Sequence, residues 1–187
     1  MIRRAIVKVI DVLTDAYGRI FEQLCLSSAY EDENGASVTN TTHESGQAVI
    51  RDQVKFLDGN DRFFSVELTA DQSQLWMHAR ILIPVDLSGA SDFQVLKVLN
   101  RINQSGGPTA SSFNEETMQM EMHSGLSYAG SYAMQEMDWA HSNGFEVEVT
   151  MNLLASLFSD ANDWTKKIQI LETPGKTAAD VFRTLSG

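Results

Sequence analysis

The chain has 187 residues, which is the size of one ordinary globular domain. Its 14 Lys and Arg against 25 Asp and Glu give a formal net charge of −11, which argues against a broad surface for nucleic-acid phosphates and against docking on an anionic membrane. Hydrophobic residues make up 43 % of the chain, enough for a packed core, so wholesale disorder is excluded.

The single cysteine, Cys25, excludes an intramolecular disulfide and a cysteine-based zinc finger. A lone thiol fits a reducing cytoplasm, and we interpret Cys25 as a buried structural residue. Lys8 and Asp11 interrupt the apolar run at the start of the chain, and no cleavage pattern of a signal peptide follows it. No stretch approaches the ~20 apolar residues that a membrane span needs, so we expect a soluble cytoplasmic protein.

The first segment is predicted to be an N-terminal amphipathic helix over residues 1–25. Its apolar residues recur at steps of four and three, which places them on one side of a helix: Ile6, Ile10, Leu13, Tyr17, Ile20 and Leu24. Ser27 to Gly46 then loses this periodicity and is rich in Ser, Thr, Asn, Glu and Gly. We predict an exposed loop there.

Three strands are predicted next, over Gln47–Leu57, Phe63–Thr69 and Gln74–Val85. The segments between them, residues 58–60 and 70–72, contain turn-forming residues. Such short links join antiparallel neighbours, so the three strands are expected to form an antiparallel sheet.

A helix is predicted over Asp92–Asn103, with Ser91 as its N-cap. Its buried stripe is predicted to consist of Phe93, Leu96, Leu99 and Ile102, and the Gly-Gly-Pro run at 106–108 stops it. Two further strands are predicted over Ser111–Met122 and Leu126–Ala140, joined by a turn at 123–125. A break is predicted at 142–144.

The last part of the chain begins with a strand-like alternation, Phe145–Val149, and then turns helical. A long helix is predicted over Thr150–Glu172, and Lys176–Leu185 is expected to add a short final helix. The order of elements is therefore α-β-β-β-α-β-β-α. It predicts an α+β fold over residues 1–187, a single domain whose mostly antiparallel sheet carries helices on one face.

Two short motifs accompany this order of elements. Residues 99–103 read Leu-Asn-Arg-Ile-Asn at the end of a helix that leads into a hairpin, and the closing helix holds Thr150, Leu154, Phe158 and Trp164. The chain resembles in these features the YbjN and type III secretion chaperone-like superfamily, over residues 48–171. The resemblance implies small acidic cytoplasmic proteins, often dimeric, that bind other polypeptides or act as regulators. It implies no catalytic residues.

The sequence contains only weak signals for a catalytic site. Residues 125–130 are similar to a nucleophile elbow around Ser127, but one extra residue stands before the second glycine, and a hairpin turn explains the run better. His123 and His141 are predicted near strand ends, where they and a carboxylate such as Glu121 would approach one another. A small metal-dependent hydrolase using these residues is the alternative function; ordinary surface or hydrogen-bonded histidines are the simpler interpretation.

Methionine is the most distinctive feature of the sequence. Six of the eight methionines lie between residues 118 and 151. Methionine adapts to varied apolar surfaces, so these residues either pack the sheet against the helices or line a groove that holds a peptide. The predicted partner-binding residues are Met118, Met120, Met122, Met134, Met137 and Trp139. The leading hypothesis is a non-catalytic protein-binding module, chaperone-like or a regulatory adaptor, expected to be a homodimer without cofactor, metal or nucleic acid.

Overall fold

A computed structural model describes residues 8–29, 40–44, 46–57, 61–104, 109–128 and 139–184, with the backbone alone described at 40–44, 139–143 and 184. It confirms the predicted α+β fold with an antiparallel sheet. Among these residues no helix combines the length and the apolar character needed to cross a membrane.

The helices are α1 (Val9–Leu24), α2 (Asp92–Asn103), α3 (Trp139–Ile168) and α4 (Ala178–Thr184), with a 3₁₀ turn at Gln169–Glu172 after α3. The strands are β1 (Leu26–Ser28), β2 (Asn40–Glu44), β3 (Gln47–Phe56), β4 (Phe64–Asp71), β5 (Trp76–Leu82), β6 (Ala110–Asn114) and β7 (Gln119–Ser127). Their order in the sheet is β1-β3-β4-β5-β7-β6, and β2 pairs with β3 as well.

The N-terminal helix is confirmed from Val9 onward, while residues 1–7 lie outside the described part of the chain. Its predicted stripe is buried at Leu13, Tyr17 and Ile20, which pack on the sheet. The helix ends at Leu24, and the next residue, Cys25, adopts a left-handed conformation with φ 50°. The expectation of a buried thiol is wrong, because Cys25 is exposed.

The predicted loop at Ser27–Gly46 is wrong at both ends. β1 pairs with the last residues of β3 and β2 pairs with its first residues, both antiparallel, so two short strands share one edge of the sheet. Strands this short and rich in Ser, Thr and Asn carry too few apolar residues for the alternation that would reveal a strand. Residues 30–39 between them lie outside the described residues.

The predicted strand Ser111–Met122 is in fact a hairpin of β6 and β7, turning at residues 115–118. The side chain of Asn114 holds this turn, since its Oδ1 accepts hydrogen bonds from the backbone N–H of Glu116 at 3.0 Å and of Thr117 at 3.2 Å. The turn predicted at 123–125 therefore lies inside β7. The next predicted strand, Leu126–Ala140, is wrong at its C-terminal end, where α3 begins at Trp139, while Leu126 and Ser127 belong to β7. Residues 129–138 of this prediction lie outside the described residues.

The long C-terminal helix starts earlier than predicted, and the short final helix is confirmed as α4. The predicted break at 142–144 and the strand-like run Phe145–Val149 are both helical in the structure. Val147 is buried while Phe145 is exposed, and Val147 extends the buried row of Thr150 and Leu154 by one more step of three. Because this row packs against the core, the segment is helical despite its strand-like alternation.

The core lies between the sheet and the layer formed by α1 and α3, which pack against each other. Alternate residues of β3, β4, β5 and β7 point into this core; on β7 these include Met120 and Met122. The remaining residues of these four strands form what we call the outer sheet face, on the side away from these helices.

Candidate interaction surfaces

A row of charged residues crosses the outer sheet face. Arg51, Glu67, Arg80 and His123 lie opposite one another on β3, β4, β5 and β7. Glu67 joins the two arginines: its Oε2 lies 2.8 Å from Nε of Arg51 and its Oε1 lies 3.1 Å from Nη2 of Arg80. Arg80 also lies 3.6 Å from the carboxylate of Glu121. The charges of this row therefore neutralise each other within the chain.

A shallow groove of about 330 Å³ lies in the outer sheet face beside this row, lined by Arg51, Gln53, Glu67 and Arg80 among others. Its polar side chains already hydrogen-bond one another, as Gln53 does to Ser65 at 3.5 Å. The charges in this groove are thus already paired within the chain.

Two histidines stack on the same face. The rings of His78 and His123 are 5.5 Å apart at an angle of 29°, and Nε2 of His123 hydrogen-bonds Oγ of Ser112 at 2.7 Å. Burial lowers the pKa of both histidines below the ordinary value; for His78 the charge of Arg80 adds to this effect, and for His123 the carboxylate of Glu121 opposes it. Both rings therefore favour the neutral state.

The metal site of the alternative function is not assembled in the described residues. His123 lies within β7 rather than near a strand end, with Nε2 3.5 Å from Oε2 of Glu121. His141 belongs to the first turn of α3, and its side chain is not described. The described part of the chain contains no group of three His, Cys, Asp or Glu side chains placed to hold a metal ion. Ser127 ends β7 opposite Trp76, and residues 129–130 of the elbow-like run lie outside the described residues.

A buried carboxylate fastens α1 to the sheet. Asp52 on β3 is 3 % exposed and accepts hydrogen bonds from the hydroxyls of Tyr17 at 3.1 Å and Ser28 at 2.6 Å. Burial and the neighbouring Asp52 raise the pKa of Tyr17 well above that of a free tyrosine. Tyr17 therefore stays a neutral hydrogen-bond donor, and the cluster links α1, β1 and β3.

The edge of the sheet formed by β6 is closed by α2. Oδ1 of Asn103 accepts hydrogen bonds from the backbone N–H of Ser111 at 2.7 Å and from its hydroxyl at 3.0 Å, and Nδ2 of Asn103 donates to the carbonyl of Ser111 at 3.1 Å. An added strand would need these same backbone groups. Asn103 is the last residue of the Leu-Asn-Arg-Ile-Asn motif.

Helix α2 buries a different stripe from the predicted one. Val95, Val98, Leu99 and Ile102 are buried, whereas Phe93 and Leu96 are 62 % and 57 % exposed. Repeated steps of three drift about 60° each around a helix, so a row at 93, 96, 99 and 102 spans half its circumference. Steps of three and four, as in 95, 98, 99 and 102, were the signal that identifies the buried face.

The outer face of α2 combines these apolar residues with cations. Phe93, Leu96, Lys97, Asn100 and Arg101 are all exposed, and we call them the α2 strip. Nζ of Lys97 lies 4.3 Å from the centre of the Phe93 ring. Among the described helices and strands, α2 is the element that presents two largely exposed apolar side chains one turn apart on the same face.

The predicted partner-binding residues fall in different places. Met120 and Met122 are 1 % and 0 % exposed, so in this structure they pack the sheet against the helices. Met118 is half-buried in the β6–β7 turn, with φ 54°. Met134, Met137 and the side chain of Trp139 lie outside the described residues. Their role in binding a partner stays a prediction.

Comparisons with known proteins found no match in sequence and a weak likeness in structure. No protein-family model and no curated protein matches the sequence. A chain in the crystal structure of the ExsC–ExsE complex is similar at 13 % identity and a TM-score of 0.45, covering 84 % of this chain and 93 % of that chain. A likeness of this size carries no argument about function.

Proposed function

We propose that this chain is a non-catalytic protein-binding module, and that the α2 strip contacts its polypeptide partner. The exposure of Phe93 and Leu96 on one face of α2 carries this proposal. An amphipathic surface helix turns its apolar face inward, so two large apolar side chains that stay together on the opposite face form a candidate contact surface. At the β6 edge, Asn103 already occupies the backbone groups of Ser111, which disfavours strand addition there.

Three finer predictions accompany this proposal. Membership of the YbjN and type III secretion chaperone-like superfamily, a cytoplasmic location and a homodimeric state come from the sequence. Light scattering on the purified chain measures the last of these directly. A monomer mass would remove the homodimer and leave the binding function in place.

The proposal is tested by comparing what co-purifies with matched variants of the tagged full-length chain from its native cells. Leu96→Asp places a charge in the α2 strip, and Asn152→Asp places one on the exposed surface of α3. We expect Leu96→Asp to lose at least about tenfold of a polypeptide that the wild type and Asn152→Asp retain. Equal retention by all three, with circular dichroism showing folded chains, would contradict the proposal.

The metal-dependent hydrolase is separated from this function by metal analysis of the purified chain. Stoichiometric zinc or manganese that is lost in His123→Asn would favour the hydrolase. The binding function predicts that His123→Asn retains the same polypeptide as the wild type.

A further inference from the structure

The α2 strip differs in charge from the rest of the molecule. The chain as a whole carries −11, yet the exposed face of α2 carries Lys97 and Arg101 against a single exposed carboxylate, Asp92. Two positive charges against one negative leave this face with a net positive charge. A partner bound there feels most strongly the charges within about 8–10 Å of it, because more distant charges are largely screened at physiological salt.

The positive charge of Lys97 lies beside the exposed apolar side chains of α2. Nζ of Lys97 stands over the ring of Phe93 at 4.3 Å, and Leu96 lies on the same face beside them. A carboxylate of the partner that pairs with Lys97 therefore lies next to Phe93 and Leu96. An apolar residue on the same partner segment then covers these side chains, so that both kinds of contact form at once.

An acidic segment complements this surface better than a second copy of the chain does. A two-fold contact places the same patch on both sides of the seam, so each strip would offer its partner two cations and one carboxylate, Asp92. An acidic segment instead offers a carboxylate to each cation.

We infer that the α2 strip recognises an acidic amphipathic segment of a different protein, one that presents Asp or Glu beside large apolar side chains. The inference rests on the proposed function and specifies the chemistry of the partner. The carboxylates pair with Lys97 and Arg101, and the apolar side chains cover Phe93 and Leu96.

The inference is tested with two synthetic amphipathic peptides that share the same leucine positions. One carries Glu at every charged position and the other carries Lys. Fluorescence anisotropy on the full chain should show at least about tenfold tighter binding of the Glu peptide. The double variant Lys97→Glu, Arg101→Glu should reverse this preference.

A matched control changes the net charge equally on other helices: Arg19→Glu with Lys166→Glu, both exposed residues of α1 and α3. The control should keep the preference for the Glu peptide. Equal or tighter binding of the Lys peptide, binding of neither, or an equal loss in the control would overturn the inference.

A different outcome separates the inference from the proposed function. If light scattering shows a dimer that Leu96→Asp converts to a monomer, a second copy occupies the α2 strip. The inference then fails, while the α2 strip remains a polypeptide-binding surface. If Leu96→Asp changes neither mass nor any bound polypeptide, both fail.

Discussion

The outer sheet face and the α2 strip are both at the surface, but their side chains are satisfied in different ways. On the outer sheet face Arg51, Glu67 and Arg80 pair with one another. On the α2 strip Phe93 and Leu96 have large exposed apolar areas. A charged groove can therefore stay exposed to water without a partner, because its charges pair with one another. A short apolar row on a charged helix is instead stabilised by a partner that covers it.

The largest expected effect on stability comes from a substitution on the buried side of β7. Met122 is fully buried and its neighbour His123 lies on the outer sheet face. Met122→Asp should lower the free energy of unfolding by about 4 kcal/mol or more, because it buries a carboxylate in the core. Met122→Leu should cost about 1 kcal/mol. Urea unfolding measures both, and a folded Met122→Asp that fails only in partner binding would instead support the predicted methionine groove.

The buried carboxylate of Asp52 gives the next largest effect. Asp52→Ala leaves the hydroxyls of Tyr17 and Ser28 without this acceptor and should cost about 2–3 kcal/mol of unfolding free energy. The control is Asp15→Ala, whose exposed ion pair with Arg19 contributes about 0.5 kcal/mol or less. Equal costs for the two variants would show that the buried cluster does not fasten α1.

The two faces of α2 should respond unequally. Val95 is 2 % exposed, and Val95→Ala should cost about 2 kcal/mol through loss of packing. Phe93→Ala should change stability by about 0.5 kcal/mol or less, since its ring is mostly in solvent. Thermal unfolding compares the two. A large loss in Phe93→Ala would mean that the α2 strip is part of the core, which would defeat the proposed surface.

The stacked histidines give the smallest effect, seen as a pH dependence. Their pKa values are lowered in the folded chain, so the unfolded chain binds more protons as the pH falls through 6.5. This contribution to stability is fully present above pH 6.5 and is lost toward the lower folded pKa values. Unfolding free energies at pH 7.5 and 5.5 should differ less in His123→Asn than in the wild type. An unchanged difference would show that His123 does not titrate as inferred.

The sequence predicted well the helices whose apolar periodicity extends over many residues. The steps of three and four from Ile10 to Leu24 identified α1, and the bounds of α2 were predicted at both ends. It failed where packing decides between patterns: Phe145–Val149 alternates like a strand, yet the buried row continued by Val147 makes it part of α3.

The candidate site was within reach of the sequence but was misassigned. Phe93 and Leu96 fit a row of threes and were placed in the core, although such a row drifts around the helix. The row that includes Val95 and Val98 keeps to one face and would have left Phe93 and Leu96 outside. The proximity of Lys97 to Phe93 and the closure of the β6 edge by Asn103 depend on side-chain positions that no pattern supplies.

The most direct measurement is photo-crosslinking in native cells from a benzophenone amino acid placed at Phe93 on the α2 strip and, separately, at Gln53 on the outer sheet face. We expect a crosslinked polypeptide from position 93 and none from position 53, with mass spectrometry showing an acidic segment at the crosslink. Crosslinks from position 53 alone, or from neither position, would contradict it.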